Sequence, residues 1–302
     1  MKLWFYDNHR TAFTLIELLV VIAIFSLLLG IIVPALSKVK RSAYSLMSKN
    51  NKRQIVMGVL NYSTDQDGRF PESVAKLGAP TSWSWCEPTV LAGFQRQTPS
   101  TYRSVSEYLR SYIESSSTMF CPSAPSKYPF AQEAWDAGDT WVHPNSNTAA
   151  EDPLFGNYCL YWNYIGYLEE SERPFVGPRS VNQSRHESKL LISDYFGYGH
   201  WRNELAYNSR QAYGSCEKFD NCSVTPGTSV SCDFWSRYNR AGDITLDSIK
   251  INLNAGFIDG HIETYTPADV TSMKISIEPD GSIPYPDNIS PGGIFYIPKK
   301  NR

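Results

Sequence analysis

The N-terminal region of the chain contains one long run of apolar residues with no polar face. Residues 13–33 hold twenty apolar or small side chains and a single charge, Glu17. At about 1.5 Å rise per residue, a helix of this length measures about 30 Å, which matches the hydrocarbon core of a bilayer. A secretory signal has a shorter apolar run of about 7 to 15 residues. The pattern therefore predicts a membrane-spanning helix that stays in the mature protein.

From Pro34 onward the pattern becomes amphipathic. Apolar residues recur mostly at three- and four-residue spacing, which is typical of one buried face of a helix: Leu36, Val39, Ala43, Leu46, and then Ile55, Val59 and Tyr62. We predict one helix from about residue 13 to residue 62, with its amphipathic half, 34–63, packed on a globular domain. Pro34 lacks an N–H and its ring crowds the preceding turn, so a kink is expected there.

Residues 64–302 are predicted to form an exported globular domain. Their middle region is rich in Pro, Gly, Ser and aromatic residues, which indicates large irregular loops. The clearest β signal is a hairpin near 250–266, where approximate alternation surrounds an Asp259-Gly260 turn suited to the type I′ geometry. The predicted fold class is α+β: a long, partly transmembrane helix packed on an antiparallel β-sheet domain.

All six cysteines follow the apolar segment: Cys86, Cys121, Cys159, Cys216, Cys222 and Cys232. An even number on the exported side predicts disulfides, because that compartment is oxidising. The sequence leaves the connectivity open, although Cys216 with Cys222 would close a short loop and is the first pair to consider. The alternative, that several of these thiols are free and buried, also stays open.

Charge and motif content restrict the functional classes. The formal net charge is −2, whereas nucleic-acid binding normally needs a basic excess or a basic stripe. The sequence contains no Walker loop, dinucleotide-binding glycine motif, G-x-S-x-G elbow or H-E-x-x-H motif. We therefore predict no nucleic-acid partner and no catalytic residue, and the protein is not expected to be an enzyme.

Two segments resemble parts of a metal site but lack a complete set of ligands. Residues 65–68 resemble the start of a calcium loop, but the closing Glu is missing and a turn fits better. His261 and Glu263 share one face of a predicted strand, where two ligands are too few and a solvated face fits better. No cofactor or metal is predicted, and calcium is an option that no complete ligand set supports.

The start of the chain resembles a known family. Ala12 followed by FTLIELLVV, residues 13–21, is similar to the leader and N-terminus of type IV pilins and type II secretion pseudopilins. The family usually has Gly where this chain has Ala12. The resemblance implies a leader of residues 1–12, cleavage by prepilin peptidase between Ala12 and Phe13, and N-methylation of Phe13. The segment around Asp259 and Gly260 resembles the H-X9-DG region of many pilin-like proteins, with Ile249 in place of the His.

The resemblance also implies a function in assembly. Residues 13–33 would lie in the lipid of the bacterial inner membrane as a single pass, with the C-terminal domain exported to the periplasm or cell surface. They would then enter a filament of pilin or pseudopilin subunits. In that filament Glu17 would pair with the methylated amine of a neighbouring chain, because unpaired charges are costly in hydrocarbon. Without the resemblance, a Glu17 tolerated near the membrane interface is the simpler interpretation.

One alternative uses the same helix only as a tether. Exposed Trp and Tyr side chains on loops can bind sugars or partner proteins, so the chain could be a membrane-anchored adhesin or glycan-binding module that does not polymerise. A membrane-anchored hydrolase is a third class, and it would need a convergent pocket of titratable groups.

Overall fold

The computed structural model describes residues 14–75, 87–95, 101–122, 126, 128–141, 154–168, 173–182, 184–197, 205–207, 217–219, 251–275 and 294–299. The chain divides into two compact units, residues 1–43 and residues 44–302. Within the described residues, the first unit contains the N-terminal portion of a single helix. The second contains the remainder of that helix and the β-strands.

The long helix, α1 (Leu15–Asp65), agrees with its predicted range to within a few residues at each end. It continues through Pro34, so this residue does not end the helix, and a kink there stays a prediction. After α1 the chain turns at Asp67 and Gly68, whose φ values are +52° and +79°. The Gly68 N–H donates to the Ser63 carbonyl at 2.7 Å. Left-handed residues satisfy the last carbonyls in this way and stop a helix.

The remaining elements are short. The helices are α2 (Val105–Leu109) and α3 (Ala131–Ala137), with 3-10 turns at Ser116–Met119, Gly138–Thr140 and Pro267–Asp269. The strands are β1 (Val90–Gln95), β2 (Thr101–Ser104), β3 (Leu154–Phe155), β4 (Tyr158–Leu160), β5 (Ile165–Leu168), β6 (Arg173–Val176), β7 (Leu190–Asp194), β8 (Phe196–Gly197), β9 (Leu205–Tyr207), β10 (Glu217–Phe219), β11 (Leu253–Phe257), β12 (Ile262–Tyr265), β13 (Val270–Ile275) and β14 (Ile294–Pro298).

The described strands form three antiparallel sheets. Their orders are β2-β1-β3, β10-β9-β8-β14-β13-β5-β6, and β12-β11-β7-β4. The four-stranded sheet is the one that receives the second half of α1. A long N-terminal helix together with antiparallel sheets confirms the predicted α+β class.

The contact between α1 and the four-stranded sheet is close. Val56 is fully buried, and a Cβ added to Gly256 in β11 would lie 2.8 Å from Val56 Cγ2 and 2.8 Å from Ile192 Cγ2. Only a residue without a side chain lets the helix approach the strand this closely. All five residues of β7 and all five of β11 are buried. Strands covered on both faces lose the alternating pattern, which explains why the sequence showed only approximate alternation here.

Aromatic side chains connect the four-stranded sheet to the seven-stranded sheet. Tyr161, which follows β4, contacts Phe175 of β6 with ring centroids 5.5 Å apart. Tyr195, which follows β7, contacts Phe295 of β14 at the same separation. The aromatic-rich segment after Asn157 is therefore core: Tyr158, Tyr161, Trp162 and Tyr164 are all 2% exposed or less. The Trp residues at 83, 85, 201 and 235 lie outside the described residues.

The hairpin joins β11 to β12 through a loop that contains Asp259 and Gly260. The expected type I′ turn is wrong, because that turn needs positive φ at both residues and only Gly260 has it, at +85°. The pairing of Gly256 with Ile262 leaves an odd number of loop residues. Gly260 N donates to the Phe257 carbonyl at 2.9 Å and Phe257 N donates to the His261 carbonyl at 3.1 Å. Residues 258–260 thus form a three-residue loop with one left-handed glycine.

Two of the cysteines lie within the described residues, and both are buried. Cys159 in β4 is a free thiol with 1% exposure. For this residue the structure therefore shows the free, buried thiol that the sequence left open as the alternative to a disulfide. Burial raises the pKa of Cys159 because an apolar environment disfavours the thiolate. Cys86, Cys216, Cys222 and Cys232 lie outside the described residues, and their pairing stays a prediction.

Candidate assembly helix and its buried anchor

The N-terminus of α1 is closed by a reciprocal pair of side chains. The Thr14 backbone N–H donates to Glu17 Oε2 at 2.8 Å, and the Thr14 hydroxyl donates to the same oxygen at 2.7 Å. In return, the Glu17 N–H donates to Thr14 Oγ1 at 3.3 Å. This is a capping box, in which Thr at the cap and Glu three residues later satisfy N–H groups at the helix start. It was not among the sequence-based predictions, although Thr-x-x-Glu before an apolar run is its signature.

The first unit exposes the apolar side chains of α1 in every direction. From Leu15 to Val33 the large apolar side chains are between 40% and 78% exposed. The most apolar 18-residue window has a mean hydropathy of 3.0, which makes the helix long and apolar enough to cross a membrane. An apolar surface this large needs lipid or protein to cover it. Such a helix is consistent with single-pass anchoring.

Two sequence-predicted site residues precede this surface. Ala12 and Phe13 lie outside the described residues, so cleavage between them and methylation of Phe13 stay predictions. Glu17 is described, and its visible partner is the cap residue of its own helix. Its pairing with a neighbouring chain is untested and also stays a prediction.

The second half of α1 carries a charge that the sequence-based predictions did not include. Lys52 is fully buried, and its Nζ lies 2.6 Å from Asp194 Oδ1 at the end of β7. Nζ also donates to Ser48 Oγ at 3.0 Å, one helical turn earlier. The same ammonium lies 4.0 Å from the centroid of the Tyr158 ring, within the range of a cation–π contact.

The carboxylate of Asp194 is held on its other side as well. Asp194 Oδ2 accepts from the backbone N–H of Asn254 at 2.7 Å and from Asn254 Nδ2 at 3.2 Å. Thr264 donates its hydroxyl to Asn254 Oδ1 at 2.9 Å. These contacts connect α1, β7, β11 and β12 in one buried polar network.

The Tyr158 hydroxyl completes this network. It lies 2.9 Å from Ser48 Oγ and donates to the Phe120 carbonyl at 3.3 Å. Burial raises the pKa of Tyr158 well above its ordinary value, so the hydroxyl keeps its proton and remains available as a donor. We call the set Ser48, Lys52, Tyr158, Asp194 and Asn254 the buried anchor. A buried charge is tolerated when it is paired and hydrogen-bonded, as both charges of the anchor are.

The signal for the anchor was present in the sequence but ambiguous. Lys52 falls on the same stripe of α1 as Ser48, Ile55, Val56 and Val59, all of which are buried. A lysine at a position where the helical pattern calls for an apolar residue usually indicates that the buried face of the helix is interrupted there. Asp194 lies two residues after the apolar stretch 190–192, and nothing local connects it to Lys52.

Two other candidate groups have ordinary surroundings. His261 Nδ1 lies 2.5 Å from Asp259 Oδ1, and its ring stacks on Phe257 with centroids 4.4 Å apart. Partial burial acts to raise the pKa of Asp259, but the hydrogen bonds from His261 outweigh it and hold that pKa below its ordinary value. Asp65 accepts from the Tyr112 hydroxyl at 2.5 Å. Within the described residues, no group of three His, Cys, Asp or Glu side chains is placed to hold a metal ion.

Comparison with known protein families gives one match. Residues 7–33 match the prokaryotic N-terminal methylation motif, a segment that includes the predicted cleavage site, Glu17 and the apolar run. With the α+β fold and its exposed N-terminal helix, this motif supports a type IV pilin-like protein. The comparisons with curated proteins and with solved structures each found no match. The pilin-like family that this motif defines is structural rather than enzymatic.

Proposed function

We propose that the chain is a structural subunit of a type IV pilus-like or type II secretion pseudopilus-like filament. The observation that carries the proposal is the first unit of α1. Its apolar side chains have no partner within the described residues, from Leu15 to Val33, and the methylation motif covers the same segment. A surface of this kind can be covered first by lipid and then by identical or related helices. Prepilin peptidase, other pilin subunits and membrane lipid are the partners.

Processing is proposed to occur between Ala12 and Phe13, with methylation of the new amine. The single pass through the inner membrane would leave the second unit in the periplasm or at the cell surface. The subunit would act by assembly and not by turnover, and no residue is assigned a catalytic role.

Glu17 is proposed to have two successive roles. In the isolated chain its carboxylate accepts from Thr14, which reduces the cost of placing a charge at the edge of an apolar segment. In the filament it would also neutralise the methylated amine of a neighbouring subunit. The buried anchor would then hold the globular domain to the same helix that forms the filament.

Mass spectrometry of the N-terminus tests the processing step. The full chain is expressed with prepilin peptidase in a bacterium that assembles such filaments, and a methylated Phe13 is expected as the first residue. An intact Met1 in the mature membrane protein would contradict the proposal and would favour the tethered adhesin or glycan-binding alternative.

A pair of variants separates the two roles of Glu17. Glu17→Gln retains a side-chain oxygen for the cap but removes the charge, so we expect the chain to be lost from sheared filaments while its membrane level is unchanged. The matched variant Thr14→Ala removes the cap partner and keeps the charge, so the chain should still enter filaments. Equal incorporation of the Glu17→Gln and native chains would exclude the pairing role.

A further inference from the structure

The buried anchor brings together the two reactants of an amide bond. Lys52 supplies a primary amine with no solvent exposure, and Asp194 supplies a carboxyl whose Oδ1 lies 2.6 Å from that amine, with 8% of its side chain exposed. Oδ1 is bonded directly to Cγ, the carbon that the amine would attack. Reacting groups held at about 3 to 3.5 Å in a fixed orientation have very high effective concentrations.

Formation of an amide needs an uncharged amine and a carboxylic acid. Separated charges are costly in an environment that excludes water. One proton moving along the contact from Nζ to Oδ1 gives an uncharged amine and a carboxylic acid. Within the part of the chain that the structure describes, Asp194 is the carboxyl in contact with Nζ, and the Ser48 hydroxyl and the Tyr158 ring, which also contact the amine, are uncharged.

The second oxygen of Asp194 is placed where a negative charge would develop. Oδ2 accepts the backbone N–H of Asn254 at 2.7 Å and its side-chain N–H at 3.2 Å. Two fixed donors aimed at one carbonyl oxygen form the arrangement that stabilises tetrahedral intermediates of acyl transfer. Thr264 in turn donates to Asn254 Oδ1, which fixes the orientation of the amide.

We propose that Lys52 and Asp194 are joined after folding by an isopeptide bond between Nζ and Cγ. After the first proton has moved to Oδ1, the amine turns its free electron pair to Cγ and forms the new bond. The C=O electron pair moves to Oδ2, where Asn254 stabilises it. A second proton then passes from Nζ to Oδ1, the C–Oδ1 bond breaks, and Oδ1 leaves as water. Three ammonium protons are thereby accounted for: two leave in the water and one stays on the amide nitrogen.

The bond would make the connection between α1 and β7 covalent. The burial of Lys52 would then slow the reverse hydrolysis, because water is excluded from the amide. This inference concerns the folded second unit alone, and its outcome does not depend on whether the chain enters filaments.

Mass spectrometry of the full-length native chain, extracted from membranes in detergent, tests the proposal. The intact chain should be lighter, by one molecule of water, than the mass calculated from its processed sequence. Trypsin should release residues 50–53 joined to residues 190–202, with no cleavage after Lys52, because the amide removes the charge that trypsin requires. The Lys52→Arg chain keeps the cation but has a guanidinium that is always protonated, so it should give the full calculated mass and unlinked peptides.

Two results would overturn the proposal. The first is recovery of the peptides containing Lys52 and Asp194 in unlinked form from the folded native chain. The second is the loss of ammonia instead of water, with residues 50–53 joined to residues 251–274, which would make Asn254 the acyl partner. Because the measurement is made on the native chain, its result does not depend on whether any variant folds.

Discussion

Residues 15–43 and residues 44–65 belong to the same helix, yet the side chains of these two segments meet different surroundings. In the first segment the apolar side chains are exposed, and two of the hydroxyls bond within the helix: Ser26 to the Ile22 carbonyl at 2.7 Å, and Ser37 to the Val33 carbonyl at 3.1 Å. In the second segment a stripe of side chains is buried against the four-stranded sheet. There the hydroxyl of Ser48 bonds to distant residues, as in its contact with Tyr158.

The difference shows how one helix can be suited to hydrocarbon in its first segment and to a protein core in its second. The first segment is rich in Ile and Val, which are weaker helix formers than Leu or Ala in water, and its large apolar side chains are exposed among the described residues. A helix of this kind suits hydrocarbon, where every backbone group must be satisfied internally. The second segment carries both polar and apolar side chains on its outer face, and packing of its buried stripe stabilises it. A charge such as Lys52 is compatible with it because Asp194 is supplied by the fold.

The largest expected effect comes from removing the buried cation. Lys52→Met leaves the Asp194 carboxylate buried without a cation, and breaking a buried pair in this way costs about 3 to 5 kcal/mol. Denaturant unfolding of the full chain in detergent measures it. The matched control is Arg53→Met, at an exposed position, which should change stability by less than about 0.5 kcal/mol. Equal stabilities of the two variants would show that the anchor does not stabilise the fold.

High pH should destabilise the folded second unit through its buried tyrosines. Burial raises the pKa of Tyr158, Tyr161 and Tyr265 well above 10.0. Groups of this kind leave stability unchanged below the unfolded pKa and reduce it as the pH rises from there through the folded pKa. Above pH 10 the loss approaches about 1.4 kcal/mol per tyrosine per pH unit. An ultraviolet titration should show these phenols ionising together with unfolding, and their ionisation in the folded chain would contradict this.

Adding one methyl group to each segment of α1 sharpens the comparison. A Cβ at Gly58 would lie 2.9 Å from Ile113 Cδ1, whereas a Cβ at Gly30 would have nothing within 4 Å. Overpacking costs about 1 to 3 kcal/mol, partly offset by the better helix propensity of Ala. Gly58→Ala should therefore lower the unfolding midpoint, and Gly30→Ala should leave it unchanged or raise it. The opposite order would mean that Ile113 moves aside.

The smallest expected effect distinguishes the hydroxyls of the two segments. Ser48→Ala removes a buried acceptor from Lys52 and a partner from Tyr158, and a loss of about 1 to 3 kcal/mol is expected, towards the lower end of that range. Ser37→Ala removes only a bond to the carbonyl four residues earlier, and the change should be close to zero. A Ser37→Ala effect as large as that of Ser48→Ala would contradict the proposed difference between the two segments.

The helix was predictable because its evidence is local. Apolar periodicity and the glycine at position 68 determine where α1 lies and where it ends. The capping box at Thr14 and Glu17 could also be recognised from its spacing. It was missed because a charge in an apolar run suggested that Glu17 pairs with another chain, not that it caps its own helix.

Long-range pairing was not predictable in the same way. The partner of Lys52 is the last residue of a strand far along the chain, and no local pattern connects the two. The hairpin turn was wrongly predicted for a related reason. Burial of Leu253 and Tyr265, which pair across the hairpin, fixes the register. A slip of one residue would turn these side chains to the other face of the sheet. The loop therefore contains three residues instead of the two of a type I′ turn.

The position of Ser48 near the start of the second unit has a practical consequence for protein engineering. A secreted fragment that begins at Tyr44, where the second unit begins, keeps all five residues of the anchor. A fragment trimmed beyond Lys52, to remove more of the helix, would leave a carboxylate in the interior with no counter-ion. The need to keep Lys52 as the counter-ion of Asp194 therefore limits how much of the helix can be removed. Hydropathy alone would place that limit several residues further along the chain.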